Sequence, residues 1–231
     1  MIKNYIFDFD GTLADSSIGI YEAFSSSCLE NDLEPPDIKT FKKHIGPPIY
    51  KLIYLLYPDI KENKKDKFVR TFRNEYDNKF YKFVDWYEGV FETIEYLEKI
   101  KRSNLYIITN KPTLTCINLL AEANILNSFK KVLGVDYKIF NNEKNASNFE
   151  NKTFAFDYFF EKTNLSKEQS VYIGDTLNDK ISAENCNLNF IAVKYGFYNW
   201  DLNDSNFSLN DSNFSLIDSI SELKQAINLI E

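Results

Sequence analysis

Short apolar runs alternate with amphipathic stretches along much of this chain, and that alternation restricts its fold more than any other feature. Tyr5-Ile6-Phe7, Leu105-Tyr106-Ile107-Ile108, Lys131 to Val135, Val171-Tyr172-Ile173 and Phe190-Ile191-Ala192-Val193 have the length and the β-branched, aromatic content of strands. Helical patterns separate them: Val90 to Ile100, Pro112 to about Asn124, Lys152 to Asn164 and Asn178 to Cys186, with a closing helix at Ser219 to Ile230. Strand–helix–strand order predicts an α/β fold, a doubly wound parallel sheet of Rossmann-like type with helices on both faces. In such a sheet the carboxyl ends of the strands share one rim, and ligands bind there near the point where strand order reverses.

One stretch breaks the alternation. From Ser16 to Phe83 the signals are helical throughout, punctuated by Pro35-Pro36, Gly46-Pro47-Pro48 and Pro58. Its last segment, Ile60 to Phe83, spaces Phe68, Phe72, Tyr76 and Phe80 by four, which puts them on one stripe of a helix. The expected organisation is a core of residues 1–15 and 84–231 interrupted by a helical domain, 16–83. The polar, Asn-rich stretch from Asp136 to Asn151 is expected to be loop. A tandem repeat, Leu202-Asn203-Asp204-Ser205-Asn206-Phe207-Ser208 followed at once by Leu209-Asn210-Asp211-Ser212-Asn213-Phe214-Ser215, is expected to be a loop extension, since two copies are too few for a solenoid.

Chemistry gathers where three of the strands end. The first runs into Asp8-Phe9-Asp10-Gly11, whose two carboxylates share a face if the chain stays extended and then need a cation. The second ends at Thr109-Asn110. The third ends at Gly174-Asp175, with Asp179 one helical turn on, and Lys152 opens an intervening helix. Asp8, Asp175 and Asp179 offer the oxygen donors that a hard ion such as Mg²⁺ prefers. An aspartate can attack phosphorus, a second carboxylate can move protons, and a hydroxyl with an ammonium can hold phosphoryl oxygens. Lys111 is expected to be solvated or to face the substrate.

Bulk properties remove other classes. No run of about 18 apolar residues exists, so no membrane span is expected. The first strand follows Met1 almost at once, without an apolar leader, which points to a cytoplasmic protein. Cys28, Cys116 and Cys186 are far apart and form no CxxC pair, as in a reducing compartment. A net charge of −7 argues against nucleic acid as the main partner. The basic aromatic pattern from Lys61 to Lys82 is then a helix with an apolar inner stripe and a solvated outer face.

Taken together, Asp8-Phe9-Asp10-Gly11-Thr12-Leu13, Ile107-Ile108-Thr109-Asn110-Lys111, Lys152 and Gly174-Asp175-Thr176-Leu177-Asn178-Asp179 resemble the four motifs of the haloacid dehalogenase-like hydrolase superfamily, in its phosphoglycolate phosphatase-like branch. The resemblance implies a Mg²⁺-dependent phosphatase for a small phosphorylated metabolite, monomeric or homodimeric, working through an aspartyl-phosphate. It implies Asp8 as nucleophile and Asp10 as general acid/base. Thr109, Asn110 and Lys152 would bind the phosphoryl group, and Lys152 would also be catalytic, bridging Asp8 and the phosphate. Mg²⁺ would sit on Asp8, the Asp10 carbonyl and Asp175, with Asp179 a ligand or just behind one. Asp10 favours phosphoryl transfer over dehalogenation, which has no alkoxide to protonate. Lys144 is a rival for the lysine position. In the helical insertion, read as a cap, His44 and Arg73 are candidates for selecting the substrate, a surface histidine being the other reading of His44. A phosphomutase, nucleotidase or pyrophosphatase on the same core is the alternative.

Overall fold

A computed structural model describes residues 1–99, 103–144, 147–200 and 214–230. The chain divides into two compact units, Met1–Leu13 with Trp86–Glu231, and Ala14–Asp85.

The first unit is built on a six-stranded sheet. Its strands are β1 (Asn4–Phe7), β4 (Asn104–Ile108), β5 (Phe129–Leu133), β6 (Ser170–Gly174), β7 (Asn189–Val193) and β8 (Phe214–Ile217). Two further strands of two residues, β2 (Ala14–Asp15) and β3 (Asp85–Trp86), pair with each other. The order across the large sheet is β5-β4-β1-β6-β7-β8, with every neighbouring pair parallel. Successive strands run outward from β1 to β5, and the chain then returns to β6 on the other side of β1. Strand order therefore reverses at β1, and β4 and β6 flank it there. Phe7 stands level with Ile107 on one side and Ile173 on the other, so these three strands end together.

Side-chain alternation explains how the sheet is covered. Ile6, Tyr106, Ile108, Tyr172, Phe190 and Ala192 are buried in one cluster with Phe156, Phe159 and Phe160 of helix α8 (Lys152–Thr163) and Ala183 of α9 (Leu177–Asn185). Phe156 meets Tyr172 edge to face, with ring centroids 4.7 Å apart. Fully burying one such aromatic side chain contributes about 2–3 kcal/mol. Helix α5 (Val90–Lys99) buries Val90, Ile94 and Leu97 and lies against β4; α6 (Thr113–Glu122) lies against β5. A last helix, α10 (Leu223–Ile230), follows β8.

In the second unit, α1 (Ser17–Glu30), α2 (Ile38–Lys42), α3 (Ile49–Leu56) and α4 (Glu62–Glu75) pack around Phe24, whose ring lies 4.8 Å from Phe41 and 4.9 Å from Phe68. The expected long helix is not regular. After Glu75 it widens into a π-turn at Tyr76–Phe80, and a Cβ on Gly19 would stand 2.3 Å from the Phe80 carbonyl. A close approach of α1 to that turn thus requires glycine.

The structure corrects three smaller expectations. The stretch from Asp136 to Asn151 holds one helical turn, α7 (Tyr137–Phe140), too short to show periodicity. The strand expected at Lys131 to Val135 begins and ends two residues earlier. Phe214 and Ser215, the end of the tandem repeat, open the edge strand β8 rather than a loop; the rest of the repeat lies outside the described residues. No helix among the described residues is long and apolar enough to cross a membrane.

Candidate active site

Each side chain of the rim cluster is placed by the end of a strand or the start of a helix. Asp8 directly follows β1, and its backbone N–H donates to the Ile173 carbonyl at 2.9 Å, which continues the ladder by one residue. Asp175 directly follows β6. Lys152 is the first residue of α8, where the Asn151 side chain caps the helix by accepting from the Phe154 N–H at 3.2 Å. Asp179 is the third residue of α9 and completes a capping box: its carboxylate accepts from the Thr176 N–H at 3.0 Å and the Thr176 hydroxyl at 2.6 Å, while the Thr176 hydroxyl oxygen accepts from the Asp179 N–H at 3.3 Å.

These four residues form one buried charge cluster. Lys152 Nζ donates to Asp8 Oδ2 at 2.5 Å and also pairs with Asp179 Oδ1. One ligand oxygen each from Asp8, Asp175 and Asp179 falls within a single 4.8 Å group. One ammonium against three buried carboxylates leaves an excess of negative charge. Burial, opposed by Lys152 and reinforced by Asp179, pushes the Asp8 carboxyl up to about 6. Burial, with Asp179 and Asp8 adding to it, raises Asp175 well above the usual carboxylate range. Burial pulls the Lys152 ammonium down, but Asp179 and Asp8 more than offset it, so Lys152 is held charged.

An oxygen-only donor set with excess negative charge fits a hard divalent cation. The oxygens are not equally disposed toward one. Both oxygens of Asp179 accept hydrogen bonds, Oδ2 from Thr176 and Oδ1 from Lys152 and the Tyr172 hydroxyl, so its carboxylate is turned to the helix and the lysine. Asp175 accepts from the Phe197 N–H at 2.8 Å and, weakly, from the Thr12 hydroxyl at 3.4 Å. It lies in a cradle: a Cβ on Gly11 would come within 2.1 Å of its Oδ2, and one on Gly196 within 2.2 Å of its Cβ.

Thr109 is buried at the end of β4, its N–H donating to the Leu133 carbonyl at 3.0 Å, and Asn110 follows it in the turn. Asp10 stands two residues past Asp8 and accepts from Lys111 Nζ at 2.7 Å. Lys111 was expected to be solvated or to face the substrate. It is not solvated: its side chain is buried, with the ammonium paired to Asp10 and 5.3 Å from the Phe9 ring centroid. Of the two rival lysines, Lys152 touches Asp8 and Lys144 is exposed. His44 and Arg73 belong to the second unit, where His44 Nδ1 donates to the Thr40 carbonyl at 2.9 Å and Arg73 lies over the Phe72 ring.

Tyr172 and Thr176 are polar members to which sequence reasoning gave no role. Thr176 carried a readable signal, the Thr-x-x-Asp spacing of a capping box. Tyr172 did not, since an aromatic residue inside a buried strand is ordinarily core.

Residues 5–193 match the model of the family described as haloacid dehalogenase-like hydrolase. The chain belongs to the haloacid dehalogenase-like hydrolase family. The resemblance to that superfamily is thereby borne out. This family member is 25% identical over 209 residues to the pyrophosphatase PpaX of Oceanobacillus iheyensis, spanning 89% of this chain and 87% of that one. It is 27% identical over 213 residues to a phosphoglycolate phosphatase of Psychrobacter arcticus, spanning 87% of each. It is 24% identical over 200 residues to a 5'-nucleotidase of Pseudomonas aeruginosa, spanning 84% and 83%. Among solved structures, a predicted phosphatase of Clostridium acetobutylicum superposes with a TM-score of 0.84 at 24% identity, covering 99% of both chains. A haloacid dehalogenase-like hydrolase of Streptococcus pneumoniae does so at 0.81 and 24%, covering 98% of both. At these identities the two structures establish the shared fold.

Proposed function

We propose that this hydrolase is a metal-dependent phosphatase that takes the phosphoryl group of a small phosphomonoester onto Asp8 and then passes it to water. The single observation that carries the reading is the buried Asp8–Lys152 pair at 2.5 Å, beside Asp175, on the rim where strand order reverses. Relatives named as phosphoglycolate phosphatase, pyrophosphatase and nucleotidase support the phosphatase class.

In the first half-reaction Asp8 attacks phosphorus. The bond from phosphorus to the ester oxygen breaks, its electron pair stays on that oxygen, and Asp10 gives the oxygen a proton. In the second half Asp10 takes a proton from water, the water oxygen attacks phosphorus, and the bond to Asp8 breaks to release inorganic phosphate. Lys152 holds Asp8 in place and attracts phosphoryl oxygens, and Thr109 and Asn110 donate to them. Mg²⁺ would be held by Asp8, Asp175 and the Asp10 carbonyl, with Asp179 behind, and would supply charge neutralisation for the phosphoryl oxygens. Asp179 on this reading fixes Lys152. The second unit is read as a cap that selects the substrate, with His44 and Arg73 as its selecting residues.

Phosphoglycolate is the default substrate, and the pyrophosphatase and nucleotidase relatives keep pyrophosphate and nucleoside monophosphates as the second reading. Inorganic phosphate release across a panel of phosphorylated metabolites decides among them. Asp8→Asn should abolish release, and EDTA should stop it reversibly. Wild-type rates from the Asn variant would sink the mechanism; interconversion of sugar phosphates without release would indicate a phosphomutase.

A further inference from the structure

Lys111 is the strongest polar contact on the rim that the proposed chemistry leaves without a task. Its side chain is 1% exposed, against 19% for Asp10, and its ammonium lies 2.7 Å from Asp10 Oδ1. Its backbone is fixed on three sides. The Lys111 N–H donates to Thr109 Oγ1 at 3.2 Å, its carbonyl accepts from the Val135 N–H at 3.2 Å, and Pro112 leads straight into α6. Gly134 leaves no slack, since a Cβ there would stand 2.4 Å from the Lys111 carbonyl oxygen and 2.3 Å from the Thr113 N. That strand-end turn is locked from its far side as well: Asp136 Oδ1 accepts from both the Thr113 N–H, at 2.7 Å, and the Thr113 hydroxyl, at 2.8 Å. A lysine that starts from so constrained a backbone carries its ammonium to Asp10 and over the Phe9 ring, 5.3 Å from the centroid.

We propose that Lys111 is a positioning residue whose ammonium, held on Oδ1, fixes the rotation of the Asp10 carboxyl for its proton transfers. The inference rests on the acid–base reading of Asp10 above and adds to it. A carboxyl on a single-bonded stem samples several rotations, and a group that is to meet a departing oxygen must be within hydrogen-bond reach in one of them. Misplacing such a group by an ångström costs on the order of 10²-fold in rate. Lys111 makes and breaks no covalent bond. It also ties the end of β4, which carries Thr109, to the residue two past Asp8, so the proposed phosphate-binding turn and proton carrier are held in one register.

The test compares leaving groups. An alkyl phosphate such as β-glycerophosphate needs its departing oxygen protonated, whereas p-nitrophenyl phosphate releases a stable anion. With Asp10→Asn as comparator, Lys111→Met should lower the ratio of kcat/KM for the alkyl over the aryl ester at least about tenfold, a fraction of what a general acid supplies. The loss on the alkyl ester should lie in kcat, with KM within about threefold. Lys111→Arg should show the same loss in kind and less in size; it also carries the test should the Met variant fail to fold. Equal losses on both esters, or a rise in KM with kcat kept, would overturn the inference while leaving Asp10 its role, because Asp10→Asn would still separate the two esters. If Asp10→Asn itself is indifferent to the leaving group, the acid–base reading falls and this inference with it.

Discussion

Gly11 stands so close to Asp175 that a Cβ on the glycine would lie 2.1 Å from the carboxylate Oδ2. Its φ of +81° adds a second reason for glycine, since the left-handed region costs an L-residue about 1–2 kcal/mol. Gly11→Ala therefore meets a backbone penalty and a collision with a buried carboxylate at once. Expected are a melting temperature several degrees lower and a loss of phosphate release of 10²-fold or more, because Asp175 must move. Melting curves and phosphate release on the same preparation check both. A variant with wild-type activity would mean that the position of Asp175 does not matter.

Proton and cation compete for the cluster. The Asp8 carboxyl is raised by burial from the ordinary 3.8 to about 6, and Asp175 is also raised, by burial and by its acidic neighbours. A carboxyl raised in the folded state contributes stability that is fully present below about pH 4 and is lost as pH climbs through 6. The cation-free chain should thus lose this contribution between those values, while a divalent cation binds the ionised cluster and stabilises it by mass action. Mg²⁺ should raise the melting temperature clearly at pH 7.5 and much less at pH 5. An equal shift at both values, or none at either, would count against a cation on these carboxylates.

The parts legible in the sequence were those where chain position and chemistry coincide. Asp8 and Asp175 each end a strand that its own apolar run reveals, and parallel topology alone carries both to the rim. Lys152 was legible as the first residue of a helix, and its place beside Asp8 followed from the shared rim and the resemblance, since no spacing encodes contact across 144 residues. The burial of Lys111, against a solvated expectation, was hidden for the same reason: it is set by Asp10, 101 residues earlier, and not by anything local. Phe214 was hidden by the repeat it ends; pairing with Phe190 in the adjacent strand makes it part of a sheet.

Lys152 and Lys144 were rivals for one position, and the structure makes them unlike enough to separate by substitution. Lys152→Met leaves Asp8 and Asp179 facing each other in the interior without a cation between them. Removing one partner of a buried ion pair costs about 3–5 kcal/mol. Denaturation midpoints should fall accordingly, and phosphate release should fall at least 10²-fold on the proposed mechanism. Lys144 is exposed, and Lys144→Met should change stability by no more than about 0.5 kcal/mol and leave activity as it was. The reverse pattern would return the role to Lys144.

Asp179 is held from two directions, and that makes its two holders energetically dependent on each other. The Tyr172 hydroxyl lies 3.1 Å from Asp179 Oδ1 and 3.1 Å from the Ile108 carbonyl, while the Thr176 hydroxyl donates to Oδ2 at 2.6 Å. Tyr172→Phe keeps the ring against Phe156 and removes only the hydroxyl, at a cost of about 1 kcal/mol. Thr176→Val removes the helix cap and the second hydrogen bond, costing again about 1 kcal/mol. Were the two groups independent, the double variant would lose the sum. Both act on one carboxylate that in turn fixes Lys152, so once either is gone the carboxylate can turn and the other hydrogen bond weakens. The double-mutant cycle should therefore show a coupling of at least about 0.5 kcal/mol, and the single variants should lose activity in the same order as they lose stability. Additive losses would mean that the capping box and the tyrosine hold Asp179 separately, and that Lys152 does not depend on its orientation.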